Sequence, residues 1–232
     1  MAVTEEAIIR IREMIVSGQL LPGDRLPPEK ELSKMLGVSR NSLREAVKAL
    51  ELIKVLDVRR GDGTYVTSLE PHLLLDAMGF VADMHGDQSL LEIFEVRRVL
   101  EPYITGRAVE QATGEQLIEL RSIMNAVDES KDVAELVAHD IKFHRYISQI
   151  AGNAYLTSLL DGLSSATARA RVWRGLVQER SISRTLDEHR AIVEAFDARD
   201  VEIARSWSKV HIGGVEAWLR TALAGAQGRP EQ

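Results

Sequence analysis

Residues Leu26 to Leu52 read LPPEKELSKMLGVSRNSLREAVKALEL. Leu32, Met35 and Leu36 share one helical face, and Leu43, Val47 and Leu50 share another, at spacings of three and four. Gly37-Val38 is too short to be a loop of its own, so the pattern predicts two helices that cross at a tight turn. Pro28 suits the first turn of the first helix, where a missing N–H removes no hydrogen bond. Ser39 is a good N-cap for the second. Just past that cap stand Arg40, Asn41 and Arg44. Arg and Asn read guanine and adenine edges bidentately, and the first turn of a recognition helix is where side chains reach bases. An ordinary surface hairpin of helices has the same shape; the flanking sequence separates the two.

Downstream, IKVLDVRRGDGTYVT (Ile53 to Thr67) changes period. Short β-branched runs flank Arg59-Arg60-Gly61-Asp62-Gly63, a turn of hairpin type. Two crossed helices followed by a hairpin make a winged helix-turn-helix, with Arg59 and Arg60 at the wing. Upstream, Thr4 can cap a first helix, EEAIIRIREMIVSG, with Ile8, Ile11 and Ile15 on one stripe and Gly18 as its stop.

This stretch resembles the DNA-binding domain of the GntR family of bacterial transcription regulators. The residues that carry the likeness are Pro22-Gly23-Asp24-Arg25-Leu26-Pro27, Glu29 with Glu31-Leu32, Gly37-Val38-Ser39-Arg40, Leu43-Arg44-Glu45-Ala46, and Gly61-Asp62-Gly63-Thr64-Tyr65-Val66. By that resemblance Arg40, Asn41 and Arg44 contact an operator. Lys30, Arg60 and Gly61 lie close to the DNA backbone or in the wing, and Arg25 and Ser39 complete the DNA-binding set. Lys30 stands where many relatives carry Arg, and Asn41 where Thr is frequent, which bears on the preferred base sequence and not on the mode of binding.

The 232 residues suffice for two modest domains. There is no run of about 18 apolar residues to span a membrane, and Met1 to Thr4 leads into Glu5-Glu6 without a signal-peptide pattern. Cysteine is absent, which excludes disulfides and thiolate metal sites and fits a cytoplasmic protein. The net charge of −6 is unevenly spread: residues 1–67 hold 11 Lys and Arg against 10 Asp and Glu, the remainder 18 against 25. A nearly neutral reader must bind DNA through a few placed cations, with affinity that falls as salt rises.

The expected organisation is a winged domain at 1–69, an all-helical domain at 70–223 and a frayed tail at 224–232. Glu70-Pro71 marks the boundary. Amphipathic stretches follow at about 72–84, 88–112, 115–129, 132–151, 154–178, 182–198 and 200–223, with breaks such as His85-Gly86-Asp87, Ser130-Lys131 and Gly152-Asn153. Six or seven helices with short loops predict an antiparallel bundle. Trp207 and Trp218 read as core.

Within this bundle Asp140 and His144 are four apart, on one face of one helix. His189 and His211 lie on two other helices, each among apolar residues at helical spacing. Three imidazoles and a carboxylate inside a bundle suit Zn²⁺, Ni²⁺ or another first-row divalent ion. Each histidine taken alone is more simply a satisfied core side chain. His72 and His85 have no such partner, and His139 points roughly 100° away from Asp140.

Residues 89–221 resemble the FCD ligand-binding domain of the FadR-like subgroup. The matching stretches are Glu95-Val96-Arg97 with Leu100-Glu101, Asp140 with Phe143-His144 and Ala151-Gly152-Asn153, Glu188-His189-Arg190 with Ile192 and Ala195, and Asp200 with Ala204-Arg205 and His211. In metal-binding members one Asp and three His hold a divalent ion, so the resemblance implies the set Asp140, His144, His189 and His211. It also implies an effector of the small organic acid class, such as a hydroxy acid or sugar acid. Arg97 is the candidate carboxylate clamp, with Arg171 and Arg174 as further candidates; for all three, surface ion pairing is the competing reading. The expected function is a ligand-responsive regulator, a repressor acting as a homodimer on a pseudo-palindromic double-stranded DNA operator. The alternatives are a metal-dependent hydrolase or lyase carrying a winged domain, and a regulator whose metal only staples the bundle. Neither a nucleophile motif nor a Gly-rich phosphate loop supports an enzyme.

Overall fold

Gly37, at φ +66, ends the helix Glu29–Leu36 (α2) in the left-handed conformation. Ser39 then opens Arg40–Leu52 (α3), its side chain accepting a hydrogen bond from the Ser42 N–H. This Gly-then-cap sequence turns the chain within three residues. Pro28 lies just before α2 rather than in its first turn, and its carbonyl accepts from the N–H groups of Glu31 and Leu32 at 2.8 and 2.9 Å. The computed structural model describes residues 3–70, 73, 87–128 and 132–227. The chain divides into two units, Met1–Leu74 and Leu75–Gln232.

In the first unit, Val3–Val16 (α1) packs on α3. Thr4 lies inside α1 rather than at its cap. The core joins Ile11, Met14, Leu20, Leu26, Leu32, Leu36, Leu43 and Leu50 to Leu56 and Val66 of the wing. Met35, expected on the buried face, is 55 % exposed. A two-turn helix on one neighbour buries a narrow stripe, here Leu32, Ser33 and Leu36. The wing is the antiparallel pair Leu56–Arg59 (β1) and Gly63–Val66 (β2), with Leu56 opposite Val66. Gly61, at φ +79, supplies the left-handed residue that the turn requires. The segment before α2 is stitched to β2: the Leu26 N–H donates to the Thr64 carbonyl at 2.8 Å, and the Val66 N–H to the Asp24 carbonyl at 2.9 Å.

The second unit is helical throughout its described residues. It comprises Asp87–Gln111 (α4), Gly114–Asn125 (α5), Val133–Ile150 (α6), Ala154–Ala166 (α7), Ala168–Val177 (α8), Ser181–Asp197 (α9) and Val201–Gln227 (α10). The long helices α4 and α10 lie along each other. Leu120, Phe143, Ile147, Ile192 and Phe196 sit in one core cluster, and Phe94, Ile212, Val215 and Leu219 in a second. Side-chain caps set the starts of α5, α6 and α7 at Thr113, Asp132 and Asn153. Trp218 packs against the second cluster and meets Trp173 edge-on, whereas Trp207 is 38 % exposed and is not a core residue.

The continuous helix expected over 154–178 is instead two helices broken at Thr167. Side chains add hydrogen bonds to the backbone carbonyls there. Arg171 Nη2 donates to the Ser164 carbonyl at 2.5 Å, and Thr167 Oγ1 donates to the Leu163 carbonyl at 3.1 Å while accepting from Arg97 Nη1. At the other end of the unit, α10 continues past 223 to Gln227. Apart from Leu73, the helix expected over 72–84 lies outside the described residues, as do His72, His85, Ser130-Lys131 and residues 228–232. Among the described residues, no helix is long and apolar enough to cross a membrane.

The α5 start is a full capping box: Thr113 Oγ1 accepts from the Gln116 N–H, and the Gln116 side chain accepts from the Thr113 N–H. Thr113→Ala is expected to cost about 1 kcal/mol of unfolding free energy, read from the urea midpoint at unchanged slope.

Candidate metal centre and DNA-reading surface

Helix α6 is drawn onto the bundle by Leu136, Phe143 and Ile147, and the same buried face carries Asp140 and His144 one turn apart. Helix α9 brings His189 and α10 brings His211 to the same point. All four are buried, and one ligand atom from each lies within 4.8 Å of the others. Asp140 Oδ1 is 3.3 Å from His189 Nε2, 3.5 Å from His211 Nε2 and 3.7 Å from His144 Nε2. His144 Nε2 and His211 Nε2 are 3.1 Å apart. Ligand bonds of about 2.0–2.1 Å in a tetrahedron give edges of roughly 3.3 Å, close to the four pair distances from 3.1 to 3.7 Å.

The far side of each ring decides which nitrogen is free. His144 Nδ1 lies 3.0 Å from Glu101 Oε2, and His211 Nδ1 lies 3.0 Å from Glu188 Oε2. A carboxylate there accepts a hydrogen bond from the Nδ1–H and leaves the Nε2 lone pair pointing inward. Two inward lone pairs 3.1 Å apart repel unless a cation sits between them. His189 is wholly buried, and neither ring nitrogen has a hydrogen-bond partner. Burial above all pushes its pKa down to about 3, which keeps the ring neutral and its Nε2 available. Burial works against ionised Asp140, but Arg171, His189 and His211 hold its carboxyl well below the usual range. Burial also opposes ionised Glu188, yet His211 and Arg184 keep it at about 2. This donor set, three imidazoles around an ionised carboxylate, could hold a divalent metal ion.

The three arginines are all buried rather than surface ion pairs. Arg97, expected to clamp a carboxylate, is 1 % exposed and already committed: Nε donates to Glu101 Oε1 at 2.6 Å and Nη1 to Thr167 Oγ1 at 2.9 Å. Arg171 pairs with the outer oxygen of Asp140, Oδ2. Arg174 donates through Nε to Gln178 at 2.6 Å and lines a cavity of about 50 Å³. That cavity also reaches Asp140, His189 and His211, so Arg171 and Arg174 share it with the metal ligands and Arg97 does not.

On the winged unit, Arg40 and Asn41 are exposed at the start of α3, directly after Ser39. Arg44, one turn on, is exposed and pairs with Glu29 at 2.9 Å. Lys30 is exposed in the first turn of α2. Arg60 and Gly61 form the exposed tip of the wing. Arg25 donates to the Asp62 carbonyl and lies over Gly63, where any Cβ would strike its guanidinium. Arg59 stacks on the Tyr65 ring at 4.2 Å and pairs with Asp57, so the wing is braced from within.

Residues 3–66 match the family described as bacterial regulatory proteins, gntR family, and residues 92–214 match the FCD domain. The chain belongs to the gntR family. It is 30 % identical over 207 residues to the galactonate operon transcriptional repressor of Escherichia coli K12, covering 87 % of this chain and 90 % of that protein. It is equally 30 % identical over 227 residues to the putative L-lactate dehydrogenase operon regulatory protein of the same organism, covering 94 % and 86 %. The solved structure of Streptococcus agalactiae GntR superposes with a TM-score of 0.73 at 27 % identity, covering 93 % of this chain and 99 % of that one.

This gntR-family chain is therefore a DNA-binding transcription regulator and not the hydrolase or lyase considered as an alternative. Glu101 and Glu188, which back two of the imidazoles, were not singled out from the sequence as functional. The i, i+4 spacing of Arg97 and Glu101 and the adjacency of Glu188 to His189 were the available signals. His139, read as pointing away, does turn aside from the cluster to bond the Ile123 carbonyl at 2.6 Å, but it lines the cavity.

His211 sits between Asp140 and Glu188; burial lowers its pKa, but hydrogen bonds to both carboxylates outweigh burial and raise it above 6.5. Such a group stabilises the fold below its unfolded pKa and loses that contribution as pH rises through the folded value. Protein stripped of metal by a chelator is therefore expected to lose stability as pH rises above 6.5. Metal affinity should rise over the same window as the competing proton leaves. Melting midpoints against pH, with and without metal, check both signs.

Proposed function

We propose that this regulator represses transcription in the cytoplasm by binding a pseudo-palindromic operator as a homodimer. It responds to a small carboxylate at the Asp140, His144, His189 and His211 centre, loaded with Zn²⁺ or Ni²⁺. The observation that carries this reading is the convergence of three imidazole Nε2 atoms and Asp140 Oδ1 beside a cavity lined by Arg174. When bound, the metal supplies a cationic centre for a carboxylate oxygen. Arg174 brings a guanidinium to the same cavity, and Arg171 holds Asp140 by its outer oxygen. The names of the galactonate and L-lactate dehydrogenase operon regulators fit an acid of this class.

On the DNA side, Arg40 and Asn41 read base edges, Arg44 exchanges Glu29 for DNA, and Lys30, Arg60 and Gly61 meet the backbone or wing groove. Ser39 holds the start of α3, and Arg25 braces the wing turn. A dimer places two such helices in successive major grooves. The effector controls DNA binding only if it prefers one of two arrangements of the pair.

Two measurements test this. A metal-loaded sample screened by melting midpoint against small carboxylates should show a clear rise with one acid, lost in His144→Ala; release of operator DNA by that acid then gives the sign of control. Midpoints that ignore every acid in protein shown to contain metal would leave a purely structural ion. Separately, Arg40→Ala should weaken operator binding by roughly 1–3 kcal/mol and relax preference at one base position, measured by fluorescence anisotropy at fixed salt. Uniform weakening on all sequences would reassign Arg40 to phosphate contact.

A further inference from the structure

The cavity beside the metal ligands has a second end. Ser181, Ile182, Thr185, Leu186 and His189 of α9 all line it, so it runs along one face of that helix. From His189 to Ser181 is eight residues, or roughly 12 Å along the axis. At the Ser181 end the helix begins without a side-chain cap: Arg180, in the left-handed conformation at φ +57, precedes it and accepts only the Arg184 N–H through its carbonyl, while the Ser181 N–H donates to the Gln178 carbonyl at 3.2 Å, which leaves the N–H groups of Ile182 and Ser183. The first N–H groups of a helix have no partner within the helix and attract an acceptor oxygen. Ser181 itself is 5 % exposed, and its Oγ has no hydrogen-bond partner. A buried hydroxyl left unpartnered is unfavourable, and this one lies in the cavity wall. Arg174 lines the same cavity from α8. Between the two ends the walls are aliphatic, with Leu136, Val137, Leu186 and Val215.

We infer that the first turn of α9, with Ser181 Oγ and Arg174, is an oxygen-binding subsite for the far end of the effector. The effector is then a short acid with two oxygen-bearing ends joined by carbon: one carboxylate toward Asp140 and the histidines, and a hydroxyl or second carboxylate at Ser181. This rests on the carboxylate reading above and narrows it. A cavity of about 50 Å³ matches an acid of few carbons and not a long chain. Ser181 Oγ and the N–H groups of Ile182 and Ser183 serve a hydroxyl or a carboxylate oxygen, while Arg174 favours the carboxylate.

The test uses metal-loaded full-length protein and three acids of equal chain length: butanoate, 4-hydroxybutanoate and succinate. These differ only in the group at the far end. Dissociation constants from midpoint titrations should be roughly ten-fold lower for the acids with a second oxygen than for butanoate. In Ser181→Ala the advantage of 4-hydroxybutanoate should shrink toward unity while butanoate binds as before. The variant without ligand should melt no lower than the parent, since it loses a hydroxyl that bonds nothing. Succinate ahead of 4-hydroxybutanoate would make the subsite anionic; the reverse order would make it a hydroxyl reader. If all three acids bind alike, or if the advantage survives Ser181→Ala undiminished, the subsite is overturned and the carboxylate reading stands. If none of the three binds while another carboxylate raises the midpoint in the wider panel, the two-ended chemistry again fails alone. No response to any carboxylate overturns both.

Discussion

The second unit depends on one electrostatic constraint: Asp140 is ionised in a water-excluded interior. A buried carboxylate is costly unless paired and hydrogen-bonded. Here its outer oxygen pairs with Arg171, and its inner oxygen faces three imidazole nitrogens, with which it could hold a divalent cation. Each imidazole then needs its own tautomer fixed, and Glu101 and Glu188 do this for His144 and His211. Those glutamates in turn need cations, which Arg97 and Arg184 provide at 2.6 and 2.7 Å. The buried charges of the bundle thus form shells around a single point, and the helices that carry them are held in register by that requirement.

Two of these arginines extend the network to one backbone feature. Arg171 joins Asp140 to the Ser164 carbonyl, and Arg97 joins Glu101 to Thr167 Oγ1. Both contacts fall at the break between α7 and α8. The buried charge network and the break between α7 and α8 are therefore tied together by side chains.

The winged unit solves a different problem with few charges. Its stability comes from a small leucine-rich core and the stitching of residues 23–26 onto β2, and its wing is braced by Arg25, Arg59 and Tyr65. This bracing uses two arginines internally and leaves Arg40 and Asn41 exposed at the helix start, with Arg60 at the wing tip. A reader built this way relies on placement of cations, not on their number, in keeping with the near-neutral charge of residues 1–67.

By itself the sequence determined much that depends on local spacing and backbone chemistry, though it misplaced the cap of α1 and put Pro28 inside α2. The turn at Gly37, the Ser39 cap, the hairpin at Gly61 and the helical period of the second unit follow from a few neighbouring residues, and so were legible. So was the co-facial pair Asp140 and His144, because four residues make about one helical turn. The joining of His189 and His211 to that pair was suggested by family resemblance and not by spacing, since three helices far apart in the chain must pack to bring them together. What only the tertiary structure decided is where long polar side chains end. Arg97, Arg171 and Arg174 sit on helices whose patterns resemble charged surfaces, yet partners from other helices bury all three. The break at Thr167, the exposure of Met35 and Trp207, and the unpartnered Ser181 hydroxyl belong to the same class. Each depends on which neighbour lies across an interface, and a periodic pattern records a face without naming what covers it.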